Sequence, residues 1–240
     1  MPEVLLGGQP VSYVLVRNAT SRHVRMTLTP DGLRVSVPAR LADDEVLRAV
    51  ASRERWLLRH RDLLAPAAPD RLEDGMALPF LDGEITLCVQ PGRRSAVAFR
   101  PDEGRVDVRS AGTDDVRALV ERGYRAAARE WFAWACSHHG GLIGARPVSI
   151  AIRDPRTRWG SCSPRGAVAF SWRLLMAPAR VAEYVVVHEL AHLVHLNHSP
   201  AFWNLVNEQR PDHREESEWL RHHGRWLSRA PGTGPRPAAP

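Results

Sequence analysis

The residues of this chain that could do chemistry are concentrated in residues 185 to 203, which read VVVHELAHLVHLNHSPAFW. His188 and His192 are four positions apart, so on an α-helix they would lie on one face, roughly 6 Å apart along the axis, and could bind one ion. Glu189 follows directly, where its carboxylate could reach a water held by the metal without being a ligand. This H-E-x-x-H spacing is typical of zinc hydrolases. It predicts a Zn²⁺ site with His188 and His192 as ligands and Glu189 as the general base.

A catalytic zinc ion takes three protein ligands and leaves the fourth position to water. His198, ten residues after His188, is the preferred third ligand, but it can bind only if the chain bends back after the second histidine. The sequence offers such a bend, because Asn197 tolerates the left-handed conformation that closes helices. Ser199-Pro200 then resembles a helix cap followed by proline at the first helical position.

Three other residues are alternative third ligands. His195 shares the helix face of His188, but three ligands along one straight helix cannot converge in a tetrahedron. A downstream carboxylate, Glu208 or Glu215, could act as in metallopeptidases whose third ligand is a glutamate on the next helix. We prefer His198 to all three.

The helix that would carry the motif is apolar where it begins, which distinguishes it from a chance match on a solvated helix. Metal-binding groups are seldom placed where a buried helix meets a cleft unless they have a task. Of the 11 histidines in the chain, 4 fall within residues 188 to 198. The apolar residues before the motif are Val181, Tyr184, Val185, Val186 and Val187.

Length and composition are those of a globular protein with one large domain or two small ones, because the chain has 240 residues of which 44% are hydrophobic. The N-terminus has none of the features of a signal peptide, and no stretch resembles a membrane span. We therefore expect a cytoplasmic protein without a membrane partner. Three cysteines, Cys88, Cys136 and Cys162, without a C-x-x-C spacing, indicate neither a disulfide framework nor a cysteine zinc site.

The net charge of +6 raises the question of a nucleic-acid partner. All 33 basic residues are arginine and none is lysine, which is typical of a compositional bias of the genome. The arginines are also spread through the chain. A nucleic-acid partner is therefore possible but not favoured, and the expected partner is a peptide or protein substrate.

The first part of the chain alternates apolar and polar residues as strands do, and a turn at Pro30-Asp31-Gly32 predicts an antiparallel meander. From Asp43 the period becomes helical as far as Leu64, and a proline-rich linker follows at residues 65 to 74. Two hairpins are predicted next, across Asp82-Gly83 and across residues 101 to 104. The apolar positions of the three meander strands are Val11, Tyr13 and Leu15, then Val24, Met26 and Leu28, then Leu33, Val35 and Val37.

A long helix is predicted from Thr113 to about His139, with His138-His139 as a helix end and not a metal site. Residues 147 to 153 and 167 to 171 alternate and predict a hairpin across the loop DPRTRWGSCSPRG. The metal helix then has Pro178 in its first turn. Further helices are expected at residues 200 to 209 and 219 to 227, and the tail should be disordered.

Several of these segments together resemble the YgjP-like metallopeptidase family, a relative of the SprT-like zincins. The likeness is strong from about residue 114 to residue 227 and weaker over the N-terminal strands. It implies an α+β fold with a zincin-like catalytic core behind an N-terminal antiparallel β-rich region. It also implies zinc on His188, His192 and His198, with Glu189 as the base. The segments that carry it are Arg158-Trp159-Gly160-Ser161-Cys162, residues 184 to 192, Asn197-His198-Ser199, Phe202-Trp203 and Pro211-Asp212.

The sequence departs from the family pattern at two places near the predicted hairpin. Pro155-Arg156 stands where the family more often has methionine and lysine, and Ser171 where it usually has asparagine. Both departures concern contacts with the substrate and not the metal site. The loop from Arg158 to Cys162 either packs as a tight turn on the core or borders the substrate cleft, and a Cys162 nucleophile would leave H-E-x-x-H without a purpose.

Three functions from different classes remain open. The preferred one is a zinc peptidase with Glu189 as base. The second is a hydrolase of phosphoanhydrides such as nucleoside triphosphates, with Arg156 and Arg158 on the phosphates, although the sequence contains no phosphate-binding loop. The third is a non-catalytic module with a structural zinc ion, which would not need Glu189. The predicted domains are residues 1–112 (β-rich, one helix), 113–228 (peptidase core) and 229–240 (tail).

Overall fold

The computed structural model describes residues 2–6, 9–29, 32–59, 72–112, 115–155, 157–229, 231 and 237–239. The chain divides into two compact units, residues 1–68 and 69–240, and each has its own hydrophobic cluster. Helices and mostly antiparallel sheets occur in both units, so the predicted α+β class is confirmed. None of the described helices is long and apolar enough to span a bilayer.

The first unit contains a four-stranded sheet of β1 (Glu3–Leu6), β2 (Gln9–Asn18), β3 (Arg25–Thr29) and β4 (Gly32–Pro38). The strand order is β1-β2-β4-β3, and β2 runs parallel to β4. The predicted meander is therefore wrong, although its three strands are present. The reason is burial: Leu33, Val35 and Val37 of β4 are all buried, so β4 takes a central position and β3 becomes an edge. Pro30 and Asp31 of the predicted turn lie outside the described residues.

The helix predicted from Asp43 is two helices, α1 (Asp43–Ala51) and α2 (Glu54–Arg59). The break consists of Ser52 and Arg53. The Ser52 hydroxyl donates a hydrogen bond to the Ala49 carbonyl oxygen at 2.7 Å. Three acidic residues occupy the first turn of α1, where the helix dipole favours negative charge. Residues 60 to 71, which include the predicted end of the helix and most of the predicted linker, lie outside the described residues.

The second unit begins with a sheet of β5 (Ala77–Phe80), β6 (Gly83–Pro91), β7 (Ala96–Arg100) and β8 (Arg105–Ser110). Both predicted hairpins are confirmed, because β5 pairs antiparallel with β6, and β7 with β8. A parallel pairing of β6 with β8 joins them into the order β5-β6-β8-β7. This arrangement repeats that of β1 to β4.

The long helix α3 (Val116–Ile143) starts and ends later than predicted. Asp115 caps it by accepting a hydrogen bond from the Arg117 backbone N–H at 2.9 Å, while Thr113 lies outside the described residues. The helix continues through Gly140, where a Cβ atom would lie 2.6 Å from the Ala145 carbonyl oxygen, so glycine fits there without a clash. It ends at Gly144, which has a φ of 75°.

The third sheet holds β9 (Ser149–Arg153), β10 (Gly160–Cys162) and β11 (Ala167–Ser171), in the order β10-β11-β9. The predicted hairpin of β9 with β11 is wrong, since these strands are parallel, and the hairpin is formed by β10 and β11. Val168 and Phe170 of β11 are buried, which explains why β11 is central. A 3-10 turn (Trp172–Met176) leads from β11 to α4 (Ala179–Ala191).

Two more helices complete the second unit, α5 (Pro200–Gln209) and α6 (His213–Arg229). The bounds of α5 agree with the prediction, whereas α6 begins six residues before the predicted residue 219. Two hydrogen bonds involve the tail. The Pro231 carbonyl oxygen accepts one from Arg117 Nη1 at 2.9 Å, and the Ala238 carbonyl oxygen accepts one from Trp219 Nε1 at 2.6 Å. Disorder of the remaining tail stays a prediction.

The predicted domain boundary after residue 112 differs from the division after residue 68. The strands β5 to β8 share one hydrophobic cluster with α3 and α4, to which they contribute Leu78, Leu87 and Val106. Tyr124 of α3 also donates its hydroxyl proton to the Pro79 carbonyl oxygen at 2.5 Å. These strands therefore belong to the compact unit that holds the motif.

Candidate metal centre

The structure brings together the three histidines that the sequence analysis selected. His188 lies in α4, His192 caps its C-terminus, and His198 lies in the loop before α5. One ring nitrogen from each is within 4.8 Å of the others, and the Nε2 atoms of His188 and His198 are 3.1 Å apart. Two imidazole nitrogens bound to one tetrahedral zinc ion at 2.0–2.1 Å would be ~3.4 Å apart. The His188–His198 pair is therefore close to the separation that such an ion requires, and the ligand nitrogen of His192 lies within 4.8 Å of both.

The chain bends back between His192 and His198 because α4 ends there. The N–H groups of Leu193 and Val194 bond to carbonyl oxygens three residues earlier, at 3.0 and 3.1 Å, which tightens the last turn. Asn197 is not among the described residues with positive φ, so the left-handed conformation considered for it is not used. Ser199 then caps α5 through the N–H of Phe202, as predicted.

Two aromatic side chains of α5, Phe202 and Trp203, pack against the imidazoles of the cluster. Phe202 is fully buried, and its ring centroid lies 4.6 to 5.0 Å from those of His188, His192 and His198. Trp203 stacks on His198 at 5.6 Å. Because α5 supplies both aromatic residues, the position of this helix determines where the third histidine lies.

His195 contributes its backbone to the site. Its carbonyl oxygen lies 3.1 Å from His192 Nδ1, and since a carbonyl only accepts, Nδ1 carries the proton and Nε2 keeps a free lone pair. Of the residues that the structure describes, the histidine cluster includes neither the His195 side chain nor Glu208 or Glu215.

Burial favours the uncharged form of two of the clustered histidines, His188 and His192. It lowers the pKa of His188 to about 4, with further lowering from His192, His198 and His213. Burial also lowers the pKa of His192. Neutral imidazoles present the lone pairs that a metal ion requires.

Glu189 is 7% exposed and lies beside β10. Burial raises its pKa to about 7, against a smaller opposite effect of the positive charge on Arg158. A Cβ atom at Gly160 would lie 2.5 Å from Glu189 Oε1, so the carboxylate occupies the space that a side chain at position 160 would need. Sequence reasoning missed this contact, because nothing in the spacing of the motif indicates which strand faces the helix.

The loop from Arg158 to Cys162 both packs on the core and borders Glu189. Trp159 lies over Gly224 of α6, where a Cβ would come within 3.2 Å of the indole. Cys162 is half-buried, and burial followed by the charge of Glu189 raises the pKa of its thiol. A protonated thiol is a poor nucleophile, which argues against the cysteine alternative. Arg156 lies outside the described residues.

Two clefts adjoin the site within the second unit. One, of about 460 Å³, is lined by Arg158 and Gly160 and so borders Glu189. The other, of about 730 Å³, is lined by Tyr184, Trp203 and His213, and so borders the histidine cluster. His213 was not predicted. It stacks between Trp203 at 5.4 Å and Tyr184 at 6.4 Å, and no sequence signal marked it.

An ion-pair network joins α6 to α4 behind this cleft. Arg210 binds Glu216, which is 1% exposed, and Glu183 of α4 at 2.8 Å. Burial raises the pKa of Glu216, and the hydrogen bond and charge of Arg210 oppose that rise. The network therefore links α6 to α4 through Arg210, and each of its charges has a partner.

Comparison with known proteins gives one family match. The family model described as YgjP-like, metallopeptidase domain, matches residues 22–223. No curated protein matches the sequence. One similar solved structure is described as "Crystal structure of the metallopeptidase zymogen of Pyrococcus abyssi abylysin", at 26% identity and a TM-score of 0.34, covering 38% of this chain and 93% of that chain. This TM-score is too low to carry an inference about the fold.

Proposed function

Because the chain belongs to the YgjP-like metallopeptidase family, we propose that it is a zinc peptidase in which Glu189 acts as the general base. The observation that carries this proposal is the cluster of His188, His192 and His198, whose ligand atoms lie within 4.8 Å of one another next to Glu189. Membership of the family makes the protein a metal-dependent hydrolase of peptide bonds. The identity of the metal and the roles of the four residues are the proposed part.

The donor set fits zinc. Three imidazoles suit a borderline-soft ion with tetrahedral preference, and three protein ligands would leave one position for water. When bound, the ion would lower the pKa of a water molecule toward ~7 and polarise the carbonyl group of the scissile peptide bond. The protonated Nδ1 of His192, held by the His195 carbonyl oxygen, keeps Nε2 directed at the ion.

The residues around the ion perform the remaining steps. The Glu189 carboxylate takes a proton from water at Oε1 or Oε2 and can return it to the amine that leaves. The β10 strand is an edge of its sheet, so an extended peptide can pair with its backbone beside Glu189. Phe202 and Trp203 shield one side of the imidazoles from water.

Two alternatives remain predictions. A phosphoanhydride hydrolase would use Arg158, which lines the smaller cleft, on the phosphates. A non-catalytic zinc module would not require a buried carboxylate beside the histidines, whereas Glu189 is buried there. The family match favours the peptidase over both.

The test is a substitution that removes the base but keeps the ligands. We expect Glu189→Gln to bind zinc as the wild type does and to lose about two to four orders of magnitude in peptide hydrolysis, the usual contribution of a general base. Zinc content, thermal stability and cleavage of a peptide library would be measured on both proteins, with nucleoside triphosphates in parallel.

Glu208→Gln is the matched control, because Glu208 is an exposed glutamate on α5 outside the cluster. It should change neither zinc content nor turnover. Hydrolysis by Glu189→Gln close to the wild-type rate would contradict the proposal. Cleavage of nucleoside triphosphates but no peptide, abolished by Glu189→Gln, would favour the second function.

A further inference from the structure

A third cleft lies in the first unit, within residues 18–56, and contains none of the residues assigned to peptide hydrolysis. Its volume is about 750 Å³. The segment from β2 to β3 lines it on one side, and Arg53 and Trp56, at and after the break between α1 and α2, line it on the other. The break in the helix therefore creates part of the wall.

The cleft is positively charged. Arg22, Arg25 and Arg53 line it, all three are exposed, and no carboxylate is among the lining residues. Within the described part of the chain, none of the three guanidinium groups forms an ion pair. Two acidic residues of α1 pair with other arginines, Asp43 with Arg17 and Asp44 with Arg48. The three arginines are thus available to an anionic ligand.

Part of the lining of the cleft is apolar. Val24, Met26 and Trp56 are half-buried and pack on the hydrophobic cluster of the unit. A ligand that fills the cleft would therefore place an apolar group on these side chains and its negative charges on the arginines around them. Inorganic anions and polyphosphate offer only the second of these features.

The loop that carries Arg22 is held in shape without a ligand. The Asn18 side-chain oxygen accepts hydrogen bonds from the N–H and the hydroxyl of Thr20, at 3.0 and 2.8 Å. The Ser21 hydroxyl donates to the His23 carbonyl oxygen at 2.9 Å. Binding would therefore not have to order this loop, which lowers the entropy cost of association.

An edge strand of the described sheet adjoins the arginines. β3 is the last strand of its sheet, and Arg25 and Met26 belong to it. An extended peptide can add to such an edge by backbone hydrogen bonds, whereas a nucleic acid has no groups that continue a sheet. Single-stranded nucleic acid is usually held by several stacked aromatic residues, and Trp56 is the one aromatic side chain besides His23 among the lining residues.

We propose that this cleft binds an extended acidic peptide segment in which apolar residues alternate with aspartate or glutamate. The carboxylates pair with Arg22, Arg25 and Arg53, and an apolar side chain packs on Trp56 and Met26. This inference goes beyond the proposed function, because it concerns binding in the first unit and uses neither the histidines nor Glu189.

The test measures binding of a short fluorescent peptide, with leucine alternating with glutamate, to the full-length chain by fluorescence anisotropy. All proteins carry Glu189→Gln, so that binding is measured apart from hydrolysis. We expect the additional pair Arg22→Ser and Arg53→Ser to weaken binding at least about ten-fold, because two charge-assisted contacts are lost. The pair Arg34→Ser and Arg40→Ser is the matched control, since it removes equal charge from exposed residues of the same unit outside the cleft.

Changes in the probe separate the two features without altering the protein. In a peptide with glutamine in place of glutamate, the Arg22 and Arg53 substitutions should no longer affect binding. A peptide with serine in place of leucine should bind every protein variant more weakly. Equal weakening by both arginine pairs would overturn the proposal, since it would indicate general charge attraction. The proposal would also be overturned if a single-stranded oligothymidine bound more tightly than the peptide and the Arg22→Ser and Arg53→Ser pair abolished that binding. The cleft would then be a nucleic-acid site.

Discussion

At the level of single residues, the bend after α4 determines which histidine joins His188 and His192 in the cluster. His198 has its Nε2 3.1 Å from that of His188, whereas His195 takes part through its carbonyl oxygen. Removing an outer partner of a metal ligand typically costs 10–100-fold in affinity. We expect His198→Ala to weaken zinc binding by more than ~100-fold, as His188→Ala and His192→Ala should, because each removes one of the proposed ligands.

His195→Ala is the matched control, since alanine keeps the backbone carbonyl that His192 needs. It should retain zinc close to the wild-type level in a competition with a chelating dye. If His195→Ala lost zinc more readily than His198→Ala, the third ligand would be His195.

A histidine outside the site makes a separate prediction about pH. His139 is buried in α3 with neither ring nitrogen hydrogen-bonded. Burial, His138 and Arg210 lower its pKa to about 4. The unfolded chain, with a pKa near 6.5, takes up this proton first as the pH falls. His139 therefore contributes stability above pH ~6.5 that is lost as the pH falls toward about 4, with a slope of at most ~1.4 kcal/mol per pH unit.

His139→Leu should remove the contribution of His139 to the slope of the free energy of unfolding against pH. At neutral pH the variant should be at least as stable as the wild type, because it no longer buries a polar group without a hydrogen bond. Urea unfolding of the metal-free protein across this pH range would measure both effects. The exposed His222, replaced by glutamine, is the control. A slope that is the same in His139→Leu and the wild type would contradict the assignment.

At the level of elements, the contact of β10 with α4 depends on a glycine. A Cβ at position 160 would lie 2.5 Å from Glu189 Oε1, and the end of a glutamate side chain can move away more easily than the backbone. We expect Gly160→Ala to fold and bind zinc but to lose about 100-fold in turnover, because a displacement of about 1 Å has such an effect on catalytic groups.

Gly141→Ala is the control for the substitution itself. It has no atom within 4 Å of the added Cβ and lies within α3, so activity should be unchanged and stability equal or higher. Wild-type turnover in Gly160→Ala would show that the position of Glu189 does not depend on β10. Loss of zinc in that variant would place the effect on the ligands.

Elements could be predicted from sequence better than their pairing. Alternation and turn residues located most strands and the hairpins of β5–β6 and β7–β8, because a hairpin is a local structure. The parallel pairs β2–β4 and β9–β11 were missed, since they depend on which strand is buried most. In the site, the H-E-x-x-H spacing and the Ser199 cap are local and placed the histidines together. The contacts of Gly160, Phe202 and His213 arise from segments distant in sequence and could not be predicted.

At the level of the whole molecule, the chain uses one strand arrangement twice. The sheets β1-β2-β4-β3 and β5-β6-β8-β7 have the same order and the same parallel central pair, and a helix follows each. The sequence did not reveal the repeat, because the two copies resemble each other in the alternation of apolar and polar residues and in strand order more than in residue identity. Arg25 ends the β3–β4 ladder opposite Ser36, and Ala96 occupies the corresponding position opposite Arg109.

The helix packed on each sheet shows how the two copies have diverged. In the second copy α3 runs unbroken for 28 residues and Gly123 lets it approach Val97 and Phe99 so closely that a Cβ would lie 2.9 Å from Val97. In the first copy the helix breaks before Arg53, and a cleft lies there instead. A larger residue at position 123 would therefore disturb the packing of α3, the helix whose cluster includes α4. The residues that line the cleft of the first copy take no part in that contact, so they can vary in sequence while the packing of the peptidase core stays as it is.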